Sequence, residues 1–329
     1  MATSPWVQSV YIVLVLSMKS HILQSILTLA ASCLVACWSA PRGLIKTAPQ
    51  DPGTRIEGLS DCRTSDDSPV LLDRSKPLVL LVHGCNFSTG GFKSLAQVFE
   101  AHDQQTICFN YNDRDAIDDS AAQMRKALAE LEHVLGIQEI TILGHSQGGL
   151  VARRAMTGKH LSESQSYRLV TVSSPFSGID ASSHCGLTWL HIVTLGITAG
   201  VCQAITGSKW TEIYPGSDFM TRPGVLSSSV ESHIKLNTDE RGSCRVRGPD
   251  GRCRESDFVF TISEQAGKTV IDDSRVLDLE VKAGHVEIVG ESGVPPMKLI
   301  QALQRLEVLS QTPESRRTRI AELLKRLYR

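Results

Sequence analysis

The chain has 329 residues, 41% hydrophobic and 21% charged, an ordinary globular composition long enough for one large or two small domains. A formal net charge of −1, with no basic stripe interleaved with aromatics, supplies no field that would favour nucleic acid, and none is expected as a partner. No internal repeat or long low-complexity run is visible.

Residues 1–36 read as a targeting segment rather than as part of the fold. An apolar run, ILQSILTLAASCLVA, follows Met18-Lys19, and its length and flanks suit a secretory signal better than a membrane span. Leu34-Val35-Ala36-Cys37 resembles the lipobox of bacterial lipoproteins. The resemblance implies cleavage before Cys37, lipidation of that cysteine and attachment to a membrane of the bacterial cell envelope. Residue 38 is Trp where an inner-membrane retention signal would carry Asp, which leans towards the outer membrane, facing the periplasm. The first 17 residues hold no basic residue and carry their own apolar run, VYIVLVL, so translation is expected to start at Met18 rather than Met1. Cysteine usage agrees with export. Cys244 and Cys253 bracket RVRGPDGR, a tight hairpin that a disulfide would close, and Cys185 with Cys202 is a second candidate pair. Seven of the nine cysteines follow Cys37, so at least one is unpaired. No cysteine or histidine spacing suits zinc, and no cofactor is expected.

Residues 37–76, rich in Pro, Ser, Asp and Gly, read as a tether and edge segment. The main domain is expected over 77–310. Pro77–Val82 is a short, near-continuous apolar run, as a strand buried on both faces should be. A short helix, Phe92–His102, and a second strand, Thr106–Tyr111, follow. Ala116–Leu135 is the clearest helix, with Ile117, Ala121, Met124, Leu128, Leu131 and Leu135 on one stripe. Glu139–Leu143 is a third strand, Leu150–Thr157 lies in the helix after it, and Arg168–Ser173 is a fourth strand. The alternation then lapses over an insertion at about 181–255, including an apolar, Gly- and Thr-broken run at 187–205 read either as a greasy lid or as extra core. It resumes with strands Asp257–Ile262 and Val276–Val281 and a helix from Pro296 to Leu306. Residues 311–329 form a basic C-terminal helix, most simply a solvated face. Strands alternating with amphipathic helices imply an α/β fold, a mostly parallel doubly wound sheet.

The chemistry centres on Gly144-His145-Ser146-Gln147-Gly148, a G-x-S-x-G sequence between a buried strand and a helix. Small residues at 144 and 148 allow a sharp turn there, and the following helix aims its N-terminus at the serine. GHSQGGLVAR (144–153) resembles the nucleophile elbow of the α/β-hydrolase superfamily, within it the lipases and esterases. LVHGCNFSTGGF (81–92) resembles the oxyanion strand end of the same group, and FNYNDRDAID its segment before the elbow.

The resemblance implies an α/β-hydrolase fold with a lid-like insertion and a Ser-His-acid triad. Ser146 would be the nucleophile, and the backbone N–H groups of Gln147 and Cys85 would form the oxyanion hole, with Asn86 the alternative to Cys85. His285, in Lys-Ala-Gly-His after the last strand, would be the base. His83 would brace the oxyanion loop. The acid is the least clear member. Relatives carry an Asp before two apolar residues after the penultimate strand; if Val270-Ile271 is that pair, Lys268 stands in the Asp position. Glu264, directly past DFVFTI, is then the preferred candidate, with Asp272 and Asp273 as alternatives and Asp180 a distant fourth. The implied activity is hydrolysis of carboxylic esters, with acyl or lipid substrates. Two rival readings are an acyltransferase on the same scaffold and a non-catalytic envelope lipoprotein with a degenerate triad.

Overall fold

The computed structural model describes residues 53–63, 69–85, 89–159, 161–180 and 207–329. The signal segment with Cys37, the Cys185–Cys202 pair and the apolar run at 187–205 lie outside them. A seven-stranded sheet runs through the described residues in the order β1-β3-β2-β4-β5-β6-β9. Its strands are β1 (Leu59–Ser60), β2 (Leu78–Val82), β3 (Gln105–Phe109), β4 (Glu139–His145), β5 (Ser166–Val172), β6 (Val230–Asp239) and β9 (Val276–Lys282). Only β1 pairs antiparallel, at the edge against β3; every other neighbour is parallel. A disulfide between Cys62, just past β1, and Cys108 in β3 ties that edge to the sheet. Sequence reasoning did not pair these two cysteines.

The pleat of β2 divides the core. Leu78, Leu80 and Val82 face one layer, with α2 (Ile117–Leu135) and α3 (Gln147–Ala155). Val79 and Leu81 face the other, with α1 (Lys93–Ala101), α8 (Met297–Arg305) and α9 (Arg317–Leu327). The expected stripe of α2 is buried throughout, from Ile117 to Leu135, and the helix stops at Gly136 in the left-handed conformation. Its start is capped from afar: the Glu212 carboxylate, in the short helix α4 (Trp210–Ile213), accepts the backbone N–H groups of Ile117 and Asp118. A carboxylate there meets the positive end of the helix dipole, and burial raises its pKa. A second short helix, α5 (Asp218–Thr221), follows.

The stretch expected as an insertion at 181–255 needs correction. Val230–Asp239 within it is a ladder strand, β6, flanked by β5 and β9. Its sequence, VESHIKLNTD, hid it because five of its eight buried positions are polar. Lys235 is 1% exposed, and its ammonium is held by Asp278 at 2.7 Å and Asn237 at 2.6 Å. Beyond β6, β7 (Cys244–Arg247) and β8 (Cys253–Ser256) form an antiparallel hairpin closed by the Cys244–Cys253 disulfide, as expected. Asp257–Ile262, expected as a strand, is irregular up to Thr261 and then enters helix α6 (Ile262–Ala266), followed by α7 (Lys268–Ile271). The N–H groups of Val259 and Phe260 bond to a carboxylate instead of a ladder.

Candidate active site

β4 delivers Ser146 at the carboxyl edge of the sheet. Its backbone sits at φ 55° and ψ −126°, a left-handed conformation that costs a non-glycine residue about 1–3 kcal/mol. Two neighbours hold it there: Ser146 N–H donates to the Val172 carbonyl at 2.9 Å, and Gly149 N–H to the Ser146 carbonyl at 3.0 Å. The turn has no room for side chains beside it. A Cβ on Gly148 would lie 2.2 Å from the Val82 carbonyl oxygen, and one on Gly144 2.5 Å from that of Gly148. The same closeness applies across the site, since a Cβ on Gly84 would lie 2.9 Å from the Ser146 Cβ. The His83–Cys85 turn therefore lies directly against the serine.

His83 braces that turn. Its Nδ1 lies 2.9 Å from the Gly84 carbonyl, its ring stacks on Tyr111 at 4.4 Å, and the Tyr111 hydroxyl donates to the His83 carbonyl. Cys85 is an exposed free thiol, and Gln147, the first residue of α3, is buried.

His285 follows β9 and is buried beside the same edge. Its loop is wound on Asp257, whose carbonyl accepts His285 N–H and whose carboxylate accepts the N–H groups of Val286 and Glu287. The close approach requires Gly284, where a Cβ would lie 2.0 Å from the Asp257 carboxylate. His145 supports the loop from beneath. Its Nε2 lies 2.9 Å from the His285 carbonyl, so that nitrogen carries the proton, and the two rings are 4.8 Å apart. Burial, and then the proximity of His285, push the His145 pKa down to about 3, so this ring stays neutral. Phe260 packs edge-on against the His285 ring at 4.9 Å.

The carboxylate on His285 is Glu240, the residue after β6. Glu240 Oε1 lies 2.9 Å from His285 Nδ1. The same oxygen accepts from the Ser173 hydroxyl at 2.8 Å and the Thr238 hydroxyl at 2.9 Å. Oε2 accepts the N–H groups of Val259 and Phe260 at 2.6 and 2.8 Å. Burial raises the Glu240 pKa, but the bonds from His285, Phe260 and Val259 outweigh it and leave the group below its ordinary value. Ser173 Oγ also lies 2.8 Å from His285 Nδ1, so that N–H is shared between the serine and the carboxylate. Ser173 itself has a φ of 49°, a second left-handed residue at the ends of adjacent strands β4 and β5.

The preferred acid from sequence, Glu264, is elsewhere. It is the N3 residue of a capping box at the start of α6: Oε2 accepts from the N–H and hydroxyl of Thr261, and Oε1 from Asp180 N–H. Asp273 is committed to Arg275, at 2.7 Å, and Asp272 is exposed at the end of α7. The error has one origin. Reading DFVFTI as the sheet's penultimate strand places the acid after it; the sheet's penultimate strand is β6, and the residue after β6 is Glu240. A signal was present in retrospect, because SHIKLNTDE ends in a carboxylate at the point where the parallel pattern demands a strand end. Asp257, Ser173 and Thr238 carried no motif and were also missed. Among the described residues no group of three or more His, Cys, Asp or Glu side chains is arranged to hold a metal ion.

A family model described as palmitoyl protein thioesterase matches residues 78–228, somewhat less than half of the chain. No curated protein matches. Among solved structures, a lipase from Bacillus licheniformis in its propeptide form superposes with a TM-score of 0.51 at 15% identity, over 80% of this chain and 54% of that one. The mature form of that lipase gives 0.49 at 16% identity, over 74% and 96%. Lipase B from Aspergillus fumigatus gives 0.45 at 15% identity, over 77% and 57%.

Proposed function

We propose that this chain is an α/β-hydrolase of the lipase and esterase type, a reading supported by the family model over residues 78–228 and the fold shared with a bacterial lipase, and that it hydrolyses carboxylic esters of acyl or lipid substrates through Ser146, His285 and Glu240. The observation that carries the reading is the contact of Glu240 with His285 Nδ1 beside a serine held at φ 55°. With Nδ1–H engaged by Glu240 and Ser173, the base-competent nitrogen of His285 is Nε2. Ser146 Oγ attacks the carbonyl carbon while His285 Nε2 takes its proton, giving a tetrahedral oxyanion at the N–H groups of Gln147 and Cys85. Collapse breaks the bond to the alcohol, which leaves with the proton from His285. Water then releases the acid by the same route in reverse. Glu240 holds the ring in this tautomer and stabilises the imidazolium that forms.

Glu240 also removes the motive for reading the site as degenerate, which was the lack of an acid after DFVFTI. The lipid anchor at Cys37 rests on the LVAC sequence, and an outer-membrane location on Trp38 in place of Asp after it. A mature N-terminus whose mass includes acylated Cys37 is the expected result, and an unmodified or uncleaved N-terminus would reject the anchor. For the activity, the purified protein should release p-nitrophenol from short and medium acyl esters and be labelled by a fluorophosphonate. Ser146→Ala should remove both, with a rate loss of at least about 10⁴-fold. Turnover or labelling that survives the substitution would reject the serine mechanism.

A further inference from the structure

We infer that Lys209 is a positioning residue for the oxyanion hole, holding the two residues that donate to it in register through their side chains; this rests on the serine-hydrolase reading above. An oxyanion hole stabilises charge only if its donors are already in place when that charge develops. Here the donors come from separate elements. Gln147 opens α3, and Cys85 lies on the turn after β2. The parallel ladder between β2 and β4 ends at Val82 and Gly144, three residues before each donor, and the two donor residues are tied to each other beyond it through their side chains.

Lys209, the residue before α4, is 4% exposed, and its ammonium points between them. Its Nζ donates to Gln147 Oε1 at 2.6 Å, contacts Cys85 Sγ at 3.1 Å and donates to the Asp113 carbonyl at 2.5 Å. An ammonium has three N–H groups, and these contacts use all of them. Gln147 closes the ring, because its Nε2 donates to the same Asp113 carbonyl at 3.0 Å. The lysine segment is itself fixed, with Ser208 N–H on the Arg114 carbonyl and the Lys209 carbonyl accepting from Glu212 and Ile213. A buried cation thus joins the Cys85 turn, the start of α3 and the Asp113 loop. Its charge lies within contact distance of the side chains of both donor residues, where a positive charge favours an anionic transition state over the neutral ester. A lysine required only for packing would have no reason to engage both donor residues.

The test compares Lys209→Met, Gln147→Met and the double variant with wild type. Gln147→Met keeps the backbone donor and removes only its side-chain arm. For each, kcat and KM on p-nitrophenyl butyrate are measured alongside the inhibition constant of an alkyl boronic acid, whose serine adduct is tetrahedral and anionic. Lys209→Met should lower kcat by about 10- to 100-fold, short of losing a donor outright. KM should stay within about twofold, and boronate inhibition should weaken by the same factor as kcat. Gln147→Met should lose a similar factor, and the double variant little more than either, because both break one unit. Should Lys209→Met not fold, Gln147→Met alone must show the matched loss in kcat and boronate affinity. An active wild type whose variants retain kcat, or lose it without weaker boronate binding, overturns the brace and leaves the triad standing. A wild type that neither turns over ester nor takes up a fluorophosphonate overturns the serine reading and this inference together.

Discussion

β4, which delivers Ser146, is buried through Ile140, Ile142 and Leu143 with one polar residue, His145, on the His285 carbonyl, whereas β6, which delivers Glu240, is buried through His233, Lys235, Asn237 and Thr238 as well as Ile234 and Leu236. Both lie inside the same parallel sheet. Apolar burial in β4 needs no partners. Polar burial in β6 is held by partners, Lys235 on Asp278 and Asn237, Thr238 on Ser173 and Glu240, the Thr238 backbone on Gln265 and His233 Nε2 on Thr171, with His233 Nδ1 the exception. The serine side of the site thus rests on shape and glycine clearances. The carboxylate side rests on a connected polar network, and such networks fail when one member is removed.

That contrast can be broken at Asp278. Asp278→Ala leaves the Lys235 ammonium buried with Asn237 as its remaining polar contact, and is expected to destabilise by about 3 kcal/mol. Lys235→Met at the same pair should cost under about 1 kcal/mol, because an apolar side chain needs no partner. Urea titrations of the two variants check the asymmetry; equal losses would show that the buried charge is not what β6 depends on.

Acid should expose the polar side next. Burial pushes the His233 pKa down to about 3, as it does for His145. His233 Nε2 meets the Thr171 hydroxyl, while Nδ1 has no partner among the described residues. The folded chain keeps both rings neutral where the unfolded chain, with pKa values near 6.5, takes up protons. The unfolded state then binds more protons, so their contribution is complete above pH 6.5 and falls as pH drops from there towards 3. Melting temperature between pH 7.5 and 4.5 should fall for the wild type and fall less steeply for His233→Leu. Parallel slopes would reject the assignment.

The smallest expected effect belongs to Glu264. Glu264→Gln weakens a capping box and should cost about 1 kcal/mol or less, with kcat unchanged within about twofold. Calorimetry and ester kinetics on one preparation read both.

The same contrast explains what could be read in advance. Near-continuous apolar strands, the stripe of α2 and the glycines around Ser146 place that serine, because their pattern is imposed by burial and clearance alone. His285 was legible for a similar reason, as a Gly-His after a strand. Glu240 was not. Its strand alternates Ile234-Lys235-Leu236-Asn237 as a half-exposed strand would, yet both faces are buried, because Lys235 and Asn237 share the Asp278 carboxylate on neighbouring β9. DFVFTI carried the opposite error: a strand-like run whose Phe258 and Val259 face solvent and whose N–H groups hold the acid. The Cys62–Cys108 disulfide, which spans 46 residues, likewise depends on the pairing of β1 with β3.

The central claim is that Glu240, and not Glu264, orients His285. The direct measurement is kcat for Glu240→Gln on a p-nitrophenyl ester, with Glu264→Gln beside it. A neutral amide at 240 presents the wrong partner to His285 Nδ1, and a loss of about 10³- to 10⁴-fold is predicted, with Glu264→Gln near wild type. Full activity in folded Glu240→Gln, or a comparable collapse in Glu264→Gln, would contradict it.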